Sequence, residues 1–426
     1  IIPDGGILDL AEQVLDAHVA CGQLNYSGQL GGQHQLEALA GAEIRQRRSY
    51  SSSGRSYGYD DNFMSFKQTD LVNSYPIYGN LLANTQVPAN NAFSDVTSRF
   101  VSLFGNAAYT LKNRYILSSS IRKDASNLLG VATNQRGVPL WSAGLAWNLS
   151  RESFYTSTMQ DLLPFIKLRG SYGYSGNVDN SLSALTTIAY RQPLFNSSTG
   201  LPYAQVQNPP NPELRWEKVR MFNLGMDFAS KGNRLQGSLE LYNKRASDLL
   251  SLVASDITSG FSTLTRNSAA MRTRGADISL NALILPGRFR WEVAALYSYS
   301  KNKVTKYYSK PSSFSFYVGE GGSISPLEGQ PAYNVVSYRW AGLDPATGNP
   351  IAYLNGQPSQ DYTAITGKTT LEDLVFHGDA VPPVYGSLRQ SFSYGKISLS
   401  FNISGRFNYY FRRSTINYAN LMVSWV

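Results

Sequence analysis

The chain has 426 residues, with 38 Lys and Arg against 29 Asp and Glu, so it carries a formal net charge of +9 on only 16% charged residues. Its basic residues are spread rather than massed, which argues against a nucleic-acid partner, and no run approaches the ~20 consecutive apolar residues that a membrane-crossing helix requires. One cysteine, Cys21, rules out an intrachain disulfide, and the scattered His18, His34 and His377 show no HExxH or CxxC spacing, so no metal and no cofactor is expected.

Residues 7–20 read as a brief helix or an irregular lead-in, which sets residues 1–22 apart; strand character is expected from Gln23 onward, in a barrel portion covering 23–426. Residues 46–95 are polar and rich in Ser, Tyr and Gly, and read as a long loop, as do 124–139, 178–213, 247–270 and 304–331. Between these loops, apolar residues recur with period two. Trp141, Ala143, Leu145, Trp147 and Leu149 form one such row; Ile166, Leu168, Tyr172 and Tyr174 oppose Lys167, Arg169 and Ser171. Phe222, Leu224, Met226 and Phe228 face away from Asn223 and Asp227, and Leu235, Leu239 and Leu241 oppose Gln236, Ser238 and Glu240. Further on, Phe289, Trp291, Val293, Tyr297 and Tyr299 oppose Arg290, Glu292 and Ser298. Residues 332–383 break the pattern, with a short strand around Tyr333 to Trp340, a turn at 344–348, an apolar piece at Pro350 to Leu354 and a short helix near Thr370 to Val375. That segment is consistent either with crossing a membrane or with a folded extracellular loop. The longest alternation runs from Lys396 to Phe411, and Trp425 and Val426 sit in what reads as another strand.

Only an extended strand puts two such residue sets on opposite faces. Strands of soluble proteins usually run about 5–6 residues, whereas a tilted strand needs roughly 9–11 to cross the hydrocarbon of a bilayer. Short reversals are expected at Lys112-Asn113, Lys231-Gly232-Asn233, Pro286-Gly287 and Tyr394-Gly395-Lys396, and long connections between them. A meander with every second connection short sorts its long loops to one side, as outer-membrane barrels do. The expected fold is therefore all-β: a partial antiparallel transmembrane β-barrel with long extracellular loops and short periplasmic turns, embedded in outer-membrane lipid.

On that reading the charged rows line the lumen, with Arg220, Arg234, Glu240, Arg288, Arg290, Glu292 and Arg406 as candidates. Two loop clusters are candidates for solute capture. The first gathers Tyr57, Tyr59, Asp60, Asp61, Phe63 and Tyr75, with Tyr78 nearby; the second gathers Tyr307, Tyr308, Phe316 and Tyr317. Flat rings stack on sugar faces and peptide side chains, and neighbouring carboxylates supply hydrogen bonds, so an oligosaccharide or a peptide would suit them. No P-loop or Rossmann fingerprint is present, so no catalytic residues are assigned and no enzyme is expected.

Several long motifs carry a family resemblance. They are Gly144-Leu145-Ala146-Trp147-Asn148-Leu149-Ser150-Arg151-Glu152, Leu163-Pro164-Phe165-Ile166-Lys167-Leu168-Arg169-Gly170-Ser171-Tyr172-Gly173, and Asn211-Pro212-Glu213-Leu214-Arg215-Trp216-Glu217-Lys218. Arg274-Gly275-Ala276-Asp277-Ile278, Glu328-Gly329-Gln330-Pro331 and Gly378-Asp379-Ala380-Val381-Pro382-Pro383 continue the series in order. Across roughly residues 24–411 the chain resembles the SusC/RagA family of TonB-linked outer-membrane transporters. The resemblance implies import of oligosaccharides or peptides, a SusD-like surface lipoprotein over the extracellular mouth, and coupling to the TonB complex through an N-terminal plug segment. Neither plug nor final strands are recognised in the sequence, so the barrel is expected to be incomplete at both ends. A passive porin, a siderophore-type receptor or an extracellular glycan-binding adhesin would share the alternation without the ordered motifs.

Overall fold

The computed structural model describes residues 2–76, 84–127, 137–177, 179, 182, 184–191, 203–308, 314–318, 324 and 326–413. Twelve strands form one antiparallel path in chain order. They are β1 Gly6–Leu30, β2 His34–Asp60, β3 Ala92–Leu111, β4 Tyr115–Ser126, β5 Gly137–Asn148 and β6 Phe165–Asn177, then β7 Glu217–Ala229, β8 Leu235–Ala254, β9 Thr263–Leu285, β10 Phe289–Tyr307, β11 Val384–Tyr394 and β12 Ile397–Phe407. A short strand, Ser65–Lys67, pairs with the far end of β2. Among the described residues β1 and β12 are the two edges of this sheet.

The registers align into rows that cross the whole wall. Gly28, Leu36, Tyr109, Leu117, Leu145, Gly170, Leu224, Leu241, Ala276, Tyr299, Val384 and Phe407 are successive partners from β1 to β12, and no polar or charged side chain other than the two tyrosines interrupts them. Successive residues alternate faces, so the adjacent row lies on the opposite surface. From β6 onward that row reads Arg169, Gly225, Glu240, Asp277, Ser298, Tyr385 and Arg406. One surface is hydrocarbon-like and the other is charged.

Connections sort by length as the sequence suggests. Turns at 31–33, 112–114, 230–234, 286–288 and 395–396 lie at one end with the 149–164 connection, and the ends of β2 and β3, β4 and β5, β6 and β7, β8 and β9, and β10 and β11 that the longer connections join lie at the other. Positive φ values at Lys112, Asn113, Gly232, Asn233 and Gly395 supply the tight reversals. The 149–164 connection is longer because it holds a six-residue helix, Ser157–Leu162.

Residues 7–20 are neither helix nor irregular: they form the first half of β1 and pair residue by residue with β2. The sequence hides this because Ile7, Leu15 and Val19 share one face and Leu8, Leu10 and Val14 the other, so no period-two contrast exists. Pairing to the edge of β2 decides the conformation, since it satisfies backbone groups that nothing else nearby could. The expected loops at 46–95 and 247–270 are likewise partly strand, with β2 continuing to Asp60 and β8 and β9 reaching Ala254 and Thr263. Conversely, the strand expected through Phe411 stops at Phe407, and Tyr409 and Phe411 lie beyond it. Tyr78, Trp425 and Val426 fall outside the described residues.

Residues 332–383 add nothing to the wall. They form small separate sheets, pairing Asn334–Tyr338 with Leu374–Asp379 and Trp340–Leu343 with Pro350–Leu354 and Gln357–Ser359. A helix, Tyr362–Lys368, starts where the Asp361 carboxylate accepts from the Ala364 N–H at 2.9 Å. Tyr317, Val336 and Leu374 are the buried centre of this loop module, and the segment after β12 ties back to it where the Tyr410 N–H donates to the Asp379 carbonyl at 2.8 Å.

Candidate functional site

The charged surface of the wall is organised around Arg169. Its guanidinium donates to Asp227 at 2.8 and 3.0 Å and to Glu240 at 2.7 Å, and the Asn223 amide donates to the other Glu240 oxygen at 3.2 Å. Three strands, β6, β7 and β8, are cross-linked by one side chain. Next along the row stands Asp277, which accepts from the Ser298 hydroxyl, and the row ends at Arg406. Farther toward the loops, Arg122 donates to Asp124 at 2.7 Å and to Ser102 at 2.9 Å, and the Arg45 guanidinium lies 5.1 Å from the Phe100 ring centroid. Such a surface holds water and polar solute; against lipid its unpaired members would cost about 2–4 kcal/mol each near the midplane.

Glu240 and Arg406 lie on this polar surface, and so do Arg290 and Glu292, which form an ion pair close to the turn end. Arg234 and Arg288 instead sit in the short turns between strands and do not line the wall. Arg220 is a correction. It pairs with Tyr174 and Arg245 in the register that carries Phe222 and Leu224, so its side chain belongs to the apolar surface, beside the Tyr172 and Tyr174 hydroxyls. The sequence already contained this outcome, because positions 220, 222 and 224 have the same parity. Arg169 and Asp227, absent from the candidate set, are the network's centre; their signal was opposite charge on the same face of neighbouring strands.

At the loop end the candidates divide into buried anchors and exposed rings. Tyr57 is 3% exposed and donates its hydroxyl to the Pro88 carbonyl at 2.7 Å, and Tyr317 is 2% exposed with its hydroxyl on the Pro326 carbonyl. Both are spent on packing and present no ring to a solute. Phe63, Tyr308 and Phe316 are 79%, 71% and 63% exposed, and Asp61 is exposed beside the half-buried Tyr59 and Asp60. Half-buried Tyr75 donates its hydroxyl to Asp70 at 2.7 Å. Hydrogen bonds from the Asn73 side chain, the Tyr75 hydroxyl and the Val72 N–H hold the Asp70 carboxyl well below the usual carboxylate range, and the same contact raises Tyr75. In the loop module, burial pushes the Asp373 carboxyl up, but bonds from the Gly356 N–H, the Thr370 hydroxyl and the Asn355 N–H outweigh it and leave it lowered.

One further anchor was not singled out as functional. Leu214 and Trp216 are buried with Phe100 of β3 and packed against Leu250 of β8, bridging the loop end over the four intervening strands. Asn267 clamps this segment by accepting from the Arg215 N–H at 2.9 Å and donating to the Arg215 carbonyl at 2.8 Å.

A twelve-strand meander with one apolar and one charged surface, all its tight turns at one end and its long loops at the other, is the wall of an outer-membrane β-barrel. The family model described as TonB dependent receptor-like, beta-barrel, matches residues 18–420, and the chain belongs to that family. Its apolar surface therefore meets outer-membrane lipid. TonB-dependent receptor P26 of Formosa agariphila is 26% identical over 288 residues, covering 66% of this chain and 27% of that protein. TonB-dependent receptor SusC of Bacteroides thetaiotaomicron is 28% identical over 231 residues, covering 53% of this chain and 22% of that protein. In fold, the chain is similar to a structure of the RagAB peptide transporter, with a TM-score of 0.72 and 21% identity over 93% of this chain and 42% of that one. The chain thus spans less than half the length of each of these proteins.

Proposed function

We propose that the chain is the barrel wall of a TonB-driven importer that carries oligosaccharides or peptides across the outer membrane. The observation that carries this reading is the division of the wall. Except for the helix-bearing 149–164 connection, every long connection leaves the wall at one end, where Phe63, Tyr308 and Phe316 offer open rings among Tyr59, Asp60, Asp61, Tyr75 and Tyr307, and the surface below them is charged and cross-linked. Loops capture the solute by stacking and hydrogen bonding, and the polar surface lets it pass without meeting hydrocarbon. A SusD-like surface lipoprotein would cover the loop end and a plug engaged by TonB would gate the lumen, as the likeness to SusC and RagAB suggests.

Uptake of labelled oligosaccharides and labelled peptides by cells with and without TonB tests this. TonB-dependent accumulation of one class, reduced about tenfold when Phe63, Tyr308 and Phe316 are changed to Ala, is the expected result. Equal accumulation without TonB, or steady ion conductance by the purified protein, would point to a passive pore instead.

A further inference from the structure

On the apolar surface the rows nearest the loops change chemistry abruptly. Arg220 of β7 pairs with Arg245 of β8, Arg245 with Arg272 of β9, and Arg272 with Lys303 of β10; one row closer to the turns, Arg274 pairs with Lys301. Six cations occupy two adjacent rows over four neighbouring strands. Like charges placed directly opposite on paired strands repel one another, so this arrangement is unfavourable until an anion joins it. Among the described residues none of the six forms a salt bridge. Arg272 donates to the Asn243 amide oxygen at 2.9 Å, and Asp379 senses Lys301 without bonding to it.

Position narrows the identity of the anion. Directly below the patch the same surface carries Leu224, Leu241, Ala276 and Tyr299, which belong to the lipid-facing row. Arg245 lies ten residues beyond Leu235, where β8 leaves its short turn. At about 3.3 Å per residue and a tilt near 40°, that places it roughly 25 Å up the wall, the height at which the hydrocarbon band of such barrels ends. The patch is therefore at the boundary of the outer leaflet, where lipid headgroups reach it before any soluble partner. Guanidinium groups in a row favour phosphate, whose oxygens accept paired N–H bonds.

We propose that Arg220, Arg245, Arg272, Arg274, Lys301 and Lys303 bind the phosphorylated headgroup of an outer-leaflet glycolipid, with its acyl chains lying along Leu224, Leu241 and Tyr299. The site depends on which surface meets lipid and not on any transported solute, so it stands or falls separately from the import reading.

The test is binding of bisphosphorylated lipid A, and of the same lipid stripped of phosphate, to the purified protein in mild detergent, read by native mass spectrometry at low and high salt. Retention of the phosphorylated lipid, weakening at least tenfold in an Arg245→Gln, Arg272→Gln, Arg274→Gln variant that keeps its heat-modifiable gel mobility, is the expected result. The wild-type preference for the phosphorylated lipid is itself a readout that needs no variant. Equal retention of the dephosphorylated lipid, or full competition by inorganic phosphate at the same concentration, would overturn the proposal. So would an oligomer that the triple variant loses while its lipid binding stays unchanged, which would assign the patch to a second copy of the chain.

Discussion

Arg169 reaches Glu240 across a strand that lies between them: Gly225 of β7 is the direct register partner of both, and the guanidinium crosses its bare backbone to a carboxylate 2.7 Å away on β8. A Cβ at Gly225 would stand 3.0 Å from the Arg169 Cζ, tighter than the guanidinium tolerates without shifting. The glycine is thus required by the side chain that passes over it, not by its own backbone angles. Gly225→Val should cost about 1–3 kcal/mol through overpacking and detach Arg169 from Glu240. Its effect should be strongly non-additive with Glu240→Gln, because both changes remove the same bond. The temperature at which the folded gel mobility is lost measures this; additive losses would mean that the arginine never bridges the two strands.

Neighbours in sequence separate packing from capture at the second aromatic cluster. Tyr317 is buried against Val336 and Leu374, whereas Phe316 is exposed one residue away. Tyr317→Ala should destabilise the loop module by on the order of 3 kcal/mol, by analogy with other large aromatic truncations, while Phe316→Ala should stay within about 0.5 kcal/mol of wild type. Limited proteolysis of residues 332–383 reports the first effect and solute affinity the second. If Phe316→Ala left affinity untouched as well, the ring would have no part in capture.

Much of the wall was legible because hydrocarbon on one side and water on the other impose period two. Where that asymmetry ends, the pattern ends, although the strand does not. Residues 52–60 of β2 and the loop-end part of β8 remain paired, but there neither face meets hydrocarbon: Tyr57 is buried under its own loop and Leu250 packs against the Leu214 and Trp216 cluster, so no period-two contrast survives. The N-terminal half of β1 failed for the opposite reason, with leucine and valine on both faces. The charge of Arg220 points to the lumen when read alone, yet the apolar surface also has a rim where a cation is tolerated at about 0–1 kcal/mol. Tyr57 and Tyr317 looked like open rings because composition does not distinguish a ring that stacks on solute from one that fills a loop's core.

At the turn end, Glu152 holds the 149–164 connection to the wall. Its side chain is 8% exposed and accepts from Arg114 Nη1 at 3.0 Å and from Trp147 Nε1 at 2.9 Å. Glu152→Ala leaves a guanidinium and an indole N–H without their acceptor, at a cost of roughly 1–3 kcal/mol, and should shift Trp147 emission toward the red as water reaches the ring. Glu152→Gln retains one acceptor and should recover part of the loss. An unchanged emission spectrum in both variants would place the anchor elsewhere.

Asp70 gives the first aromatic loop an acid limit. Its carboxylate accepts from the Asn73 side-chain amide at 2.5 Å, the Tyr75 hydroxyl at 2.7 Å, the Val72 N–H at 2.8 Å and the Asn73 N–H at 3.1 Å, and these bonds favour the ionised form in the folded loop. The folded carboxyl titrates below its unfolded value of about 3.9, so the folded state binds fewer protons and its stabilisation is complete above that pH. That stabilisation disappears as pH falls through the lowered folded value. Amide exchange at Val72 and Asn73 should therefore stay protected from neutral pH down to about 4, once corrected for intrinsic rates, and lose protection in stronger acid. Asp70→Asn should show weakened protection at every pH with no acid-linked step, because its amide cannot gain or lose charge. Tyr75 would then be released from the carboxylate that fixes its ring, so solute capture through Tyr75 should weaken in the same variant; protection equal to wild type across the whole range would show that the loop is held by other contacts.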